Sequence, residues 1–139
     1  MNRIDKAITL KNKNYNCAQV VFAAYADLFD IPEKAALQIA AGFGAGIGHT
    51  ENICGAISGA IMLIGLKNYK NFGSLEAKEK IYQLSAEFVE AFEDVHESDN
   101  CEVLLDLKEK KGIECREYIK TACELFEVLY LDIENKDLI

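Results

Sequence analysis

The chain has 139 residues, half of them hydrophobic and 27% charged, which is ordinary globular usage and argues against a disordered or fibrous protein. Its net charge is −8, with seven basic and five acidic residues in 1–75 against eight and eighteen in 76–139. Such an acidic balance repels phosphate backbones and anionic lipid, so neither nucleic acid nor a membrane surface is an expected partner.

One proline, Pro32, against nine glycines leaves few obligatory helix breaks, and the length suits one domain. In chain order, Ile4, Ala7 and Ile8 recur at helical spacing in a short first helix that the polar Lys11–Asn14 stretch ends. A second helix, opened by Asn14 or Asn16 as N-cap, carries Cys17, Val20, Val21, Ala24 and Leu28 on its apolar stripe. Pro32 suits the first turn of a third helix through about Ala41, with Gly42 as its C-cap.

Glycine then alternates strictly in Gly42-Phe43-Gly44-Ala45-Gly46-Ile47-Gly48, so residues 42–48 are predicted to be a connection. The run lacks the G-x-G-x-x-G register and no strand precedes it, which argues against a dinucleotide fingerprint. Thr50 is predicted to cap a fourth helix from Glu51 to about Leu66. The small residues Gly55, Ser58, Gly59 and Ala60 let other backbones approach that helix and place it at the centre. Its apolar run, Ile53–Leu66, is 14 residues long, short of the ~18 that a membrane span needs.

A long amphipathic helix follows from about Leu75 to Val95, with Ile81, Leu84, Phe88 and Phe92 on one stripe. Ser98 is predicted to cap a short helix bearing Cys101, Leu104 and Leu105, and Gly112 precedes a last helix through about Leu131. The expectation is all-α: a single domain over 1–139, a compact bundle of about six helices.

Met1–Asn14 has no apolar run of the signal-peptide kind, so the expected location is cytoplasmic. Thiols are kept reduced there, and five cysteines, an odd number, do not suggest a structural disulfide framework. Cys17, Cys54, Cys101 and Cys115 all fall in or beside a predicted first turn, whereas Cys123 lies mid-helix beside Ile119 and Phe126. A helix N-terminus presents unpaired N–H groups and partial positive charge, which favours thiolate, the form that acts as nucleophile and as metal ligand. Four such cysteines meeting at one end of a bundle would serve disulfide exchange, a metal or an iron–sulfur cluster. Packed as small hydrophobes, they would instead be ordinary core.

The cysteines stand 37, 47 and 14 residues apart with no C-x-x-C, so any site is assembled by tertiary packing. His49, close before Cys54, is a substitute ligand or acid–base group, and His96 holds a similar place before Cys101. Arg116 stands beside Cys115 with a charge that would stabilise its thiolate. No P-loop, H-E-x-x-H or EF-hand pattern is present, and Glu93 to His96 is a single E-x-x-H, whereas a di-iron bundle needs two.

These residues resemble the C_GCAxxG_C_C family of redox-active proteins over most of the chain. Asn16-Cys17-Ala18-Gln19 is similar to the first cysteine segment and Gly42–Gly48 to the glycine-rich connection. The most specific piece is Cys54-Gly55-Ala56-Ile57-Ser58-Gly59-Ala60, followed by Leu63-Ile64-Gly65-Leu66-Lys67. Asn100-Cys101-Glu102 and Cys115-Arg116-Glu117-Tyr118 resemble the third and fourth segments. The motif here reads Cys-Gly-Ala where the family label reads Gly-Cys-Ala, and Glu51 and Asn52 stand where a glycine is expected. The resemblance implies a redox role through the four cysteines and leaves Cys123 outside the pattern.

The expected function is thiol–disulfide chemistry with an unknown redox partner, Cys17, Cys54, Cys101 and Cys115 being the catalytic set. The alternative is a zinc or iron–sulfur module with the same cysteines and His49 as metal ligands. Gly44, Gly46 and Gly48 are the candidate cofactor-binding positions. A helical interaction protein with purely structural cysteines is the third reading, and the small-residue helix permits a homodimer.

Overall fold

The structure, a computed structural model, describes residues 1–131. Seven α-helices make up the fold: α1 Arg3–Lys11, α2 Cys17–Tyr25, α3 Glu33–Ala40, α4 Gly55–Asn68, α5 Leu75–His96, α6 Cys101–Lys111 and α7 Cys115–Phe126. Short 3-10 turns follow α2 and α3, and a π-helical turn, Glu127–Leu131, follows α7. No strand occurs among the described residues, so the chain is all-α, with one helix more than expected. No helix among them is long and apolar enough to cross a membrane.

Side-chain caps explain most of the helix starts. Asn2, Asn16, Ser74 and Asn100 each accept a hydrogen bond from the backbone N–H three residues on, satisfying a donor that the first turn leaves open. At α2 the cap is reciprocal, because the Gln19 side chain also accepts from the Asn16 N–H at 2.9 Å. Gly112, at φ +70, ends α6 where a left-handed residue is needed.

Helix α2 is buried on every face, with Ala18 and the run Val20–Tyr25 in the core. It packs against α1, α3, α4 and α7 and shares the centre with the small-residue helix α4. The two come so close that a methyl group on Gly59 would lie 2.7 Å from the Ala18 carbonyl oxygen. Phe88 and Phe92 of α5 and Tyr118, Ile119 and Phe126 of α7 complete the core, where Tyr25 meets Phe126 edge-to-face at 5.2 Å.

The structure moves several predicted boundaries. Helix α2 ends at Tyr25, and a 3-10 turn carries the chain to Phe29 because Asp30 turns left-handed at φ 63. Pro32 is the N-cap of α3, one residue outside the first turn, and Ala41 replaces Gly42 as C-cap. The fourth helix begins at Gly55 and not at Glu51, because Glu51 is left-handed at φ 59 and Asn52–Ile53 pair with another loop. Thr50 therefore does not cap it. Asn100 displaces Ser98 as the cap of α6, and Ser98 accepts from the Asn100 N–H at 3.0 Å. The last helix gives way at Phe126 to the π-helical turn.

Candidate functional site

Three of the cysteines are the first residues of helices, Cys17 of α2, Cys101 of α6 and Cys115 of α7, and Cys54 is the N-cap residue of α4. All four line one cavity of about 250 Å³, together with His49 and Lys11. Cys123 is fully buried beside Tyr25, outside it. All five are free thiols.

Capping, close glycine packing and a backbone bridge position Cys17, Cys54 and Cys101. Asn16, the α2 cap, also donates to the Ala41 carbonyl at 2.9 Å, while Gln19 donates to the Leu37 carbonyl at 2.8 Å, so the start of α2 is tied to α3. Gly44 lies against the Asn16 side chain, where a Cβ would sit only 2.3 Å away. Gly55 packs on the start of α2, its missing Cβ 3.1 Å from the Ala18 nitrogen and 3.3 Å from the Cys17 Cβ. Gly55 and Gly59, one turn apart, thus form the flat face against which α2 brings Cys17 beside Cys54.

An isolated antiparallel bridge between Ile53 and Asn100 holds the other pair. The Cys54 N–H donates to the Asp99 carbonyl and the Cys101 N–H to the Asn52 carbonyl. This register makes Cys54 and Cys101 diagonal neighbours, which are typically about 7–8 Å apart. A disulfide needs Cβ atoms about 3.5–4.5 Å apart, so the cysteines are not at disulfide distance as they stand.

The glycine-rich connection forms a left-handed turn, with positive φ at every residue from Ala45 to His49. Thr50 closes it, its hydroxyl lying 2.8 Å from the Gly46 carbonyl and 2.7 Å from that of Ile47. Gly46 is required twice over, by its φ of +69 and because a Cβ would lie 2.5 Å from the Asn52 nitrogen. The structure gives Gly44 and Gly46 packing roles and leaves Gly48 in open space; the connection's residues on the cavity are Ala45 and His49.

Helix-start placement predicts thiolate character at all four cysteines, and the structure supports it at one. Interaction with the neighbouring Cys17 thiol, with Lys108 and Lys11 nearby, brings the Cys115 pKa down to about 6 against the cost of burial. The same pairing, and burial, hold Cys17 well above the ordinary thiol range. Burial pushes Cys54 up to about 11 despite the Ala56 and Ile57 amides facing its sulfur. Burial also raises Cys101, helped by Cys115 and Glu51.

Sequence reasoning did not single out Lys11, Lys108 or Tyr118 as site residues: the lysines carry no motif, and Tyr118 entered only as part of the fourth cysteine segment. Arg116, the neighbour in sequence, instead donates to the Asn12 side chain at 2.8 Å. His96 is absent from the cavity lining; its ring nitrogen is 2.7 Å from the Thr121 hydroxyl and its ring packs edge-on to Tyr118.

The comparisons agree with this layout. A family model described as "Putative redox-active protein (C_GCAxxG_C_C)" matches residues 15–129, a span that includes all four cavity cysteines. The chain belongs to the C_GCAxxG_C_C family. A curated relative from Archaeoglobus fulgidus, described as an uncharacterized protein, is 30% identical over 132 residues, covering 86% of this chain and 87% of the relative. No solved structure matches the chain. The Cys-Gly-Ala-x-x-Gly segment of this C_GCAxxG_C_C chain is Cys54–Gly59, and its two glycines are the ones that α2 packs against.

Proposed function

We propose that this C_GCAxxG_C_C protein is a thiol–disulfide redox protein, with Cys115 as the attacking thiolate and Cys17 as the resolving thiol. The observation that carries this reading is that Cys17 and Cys115, each the first residue of its helix, line one small cavity with Lys11, in a setting that lowers the pKa of Cys115 and raises that of Cys17. Cys115 attacks one sulfur of a disulfide and forms a mixed disulfide. Cys17 then displaces the bound half, so that two electrons leave the protein as a Cys17–Cys115 disulfide forms. Cys54 and Cys101 share the cavity as further thiols, and five free thiols suit a reducing cytoplasm.

The decisive experiment is pH-dependent alkylation of the reduced chain with iodoacetamide, read residue by residue by mass spectrometry. Cys115 is expected to react first, with a midpoint near pH 6. Uniform reaction of all the cysteines, rising only above pH 8, would overturn the assignment.

A second reading follows from four cysteines of four helix starts facing one cavity with Cys54 and Cys101 too far apart to bond. Cys17, Cys54, Cys101 and Cys115, with His49 as a substitute, would hold zinc or an iron–sulfur cluster, and a cluster would supply electron transfer. As arranged, no group of three such donors among the described residues is positioned to hold an ion, so binding would require the thiols to turn inward. Metal and inorganic sulfide content of anaerobically purified protein separates the readings. Near-stoichiometric metal moves the redox role to the metal or cluster, and absence of both leaves the dithiol reading.

A further inference from the structure

The chain carries 23 acidic residues against 15 basic ones, yet among the described residues no carboxylate lines the cysteine cavity, and its only lysine or arginine is Lys11. Lys11 has no carboxylate at ion-pair distance among the described residues. The acidic side chains gather next door, where Glu51, Glu102, Asp106 and Glu109 line a separate groove that shares Leu105 with the cavity. Ala45, Leu104 and Tyr118 give the cavity apolar walls, and the Tyr118 hydroxyl is already donated to the Leu104 carbonyl at 2.8 Å. Segregation of this kind selects for charge, since a carboxylate entering the cavity meets the unpaired Lys11 ammonium and no carboxylate on its described walls, the one anion there being the attacking Cys115 thiolate, which faces the sulfur–sulfur bond.

Size is the second restriction. About 250 Å³ lies just below the usual range of small-ligand pockets, roughly 300–1,000 Å³. Cys54 and Cys101 are only 5% and 9% exposed, and Cys17 and Cys115 are half-buried. A space this small, with two of its four sulfurs almost fully buried, fits a small disulfide better than one on the surface of a folded protein.

Building on the dithiol reading above, we propose that the cavity takes a small anionic disulfide, with an acidic group held by Lys11 and its sulfur–sulfur bond presented to Cys115. The Cys115 thiolate attacks one sulfur, forming a mixed disulfide and expelling a small thiolate, which takes up the proton of Cys17. The Cys17 sulfur then attacks the Cys115 sulfur and expels the second small thiolate. The protein gives up two electrons, and the substrate leaves as one thiol and one thiolate.

The test uses the reduced full chain and three small disulfide probes: dianionic 5,5′-dithiobis(2-nitrobenzoate), neutral 2,2′-dithiodipyridine and dicationic cystamine. Each rate is divided by the rate of the same probe with 2-mercaptoethanol, a thiol with no other charge, which removes intrinsic differences in electrophilicity. The normalised rate for the dianion is expected to exceed that for the neutral probe by about fivefold or more, the scale of a screened contact between unit charges. Cystamine should be disfavoured. Lys11→Gln should lose the preference and Lys11→Arg keep it. Because the thiolate fraction cancels in the ratio, a change in Cys115 ionisation cannot imitate the effect. An unchanged ratio in Lys11→Gln, or reduction of insulin disulfides as fast as that of the small probes, would overturn the proposal. Failure of the underlying dithiol reading shows separately, as a Cys115 that neutral iodoacetamide leaves unmodified at pH 7.

Discussion

Replacing Gly59 by Ala puts a methyl group into the tightest helix–helix contact of the fold. The new Cβ would lie 2.7 Å from the Ala18 carbonyl oxygen, 3.1 Å from the Val21 Cβ and 3.3 Å from the Phe22 nitrogen. Two of these neighbours are backbone atoms, so no side-chain rotation relieves the clash, and α2 and α4 must move apart by several tenths of an ångström. Overpacking costs about 1–3 kcal/mol, a backbone contact this short lies at the upper end, about 2–3 kcal/mol, and the better helix propensity of alanine returns about 1 kcal/mol. A net loss of about 1–2 kcal/mol corresponds to a fall in Tm of about 3–8 °C at this size. Gly65→Ala is the control, because Gly65 lies in the same helix with nothing within 4 Å of its Cβ position. That variant should gain about 0.5–1 kcal/mol. Chemical denaturation of the two variants measures both signs. Displacing α2 also draws Cys17 away from Cys115, so the Cys115 alkylation midpoint should rise in Gly59→Ala and stay unchanged in Gly65→Ala. A Gly59→Ala protein as stable as the parent, with its Cys115 midpoint in place, would refute the packing role assigned to the Cys-Gly-Ala-x-x-Gly segment.

Three further outcomes are expected. Cys17→Ala removes the strongest influence lowering Cys115, so the Cys115 alkylation midpoint should climb by a unit or more from about 6 towards the ordinary thiol value near 8.5; no movement would show that Cys17 is not the cause. Ile47→Gly should raise the unfolding free energy by up to about 1 kcal/mol, read as a higher denaturation midpoint. A β-branched residue at φ 71 is strained by about 1–2 kcal/mol, more than the entropy that glycine adds to the unfolded chain, and a lower midpoint would contradict this. Cys123→Ala should cost about 1 kcal/mol through lost packing beside Tyr25 while leaving cavity thiol kinetics unchanged, and altered Cys115 kinetics would implicate Cys123 in the site.

Helical periodicity and capping chemistry are local, and they were legible. The Asn16 cap, one of two candidates with Asn14, the start of α5 at Leu75 and the break at Gly112 all follow from residues within one turn of each other. Placement of four cysteines at helix starts was legible for the same reason. The start of α4 was not. Thr50 looks like an N-cap in sequence, but its hydroxyl closes a left-handed turn, and the Ile53–Asn100 bridge keeps the intervening residues extended. That bridge joins segments 47 residues apart, beyond the reach of any local pattern.

By itself the sequence determined the all-α class, the helix-start positions of Cys17, Cys54, Cys101 and Cys115, and the family, since these depend on short-range spacing and on the Cys54–Gly59 segment. Only the tertiary structure decided which thiol is activated. A helix N-terminus acts on its own cysteine, whereas ionisation also depends on burial and on charges brought in from elsewhere. Burial overrides the helix ends at Cys54 and Cys101, and the pairing with Cys115 together with burial does so at Cys17. Cys17, from the facing helix, tips Cys115 the other way, helped by Lys108 and by Lys11 from a helix more than a hundred residues earlier.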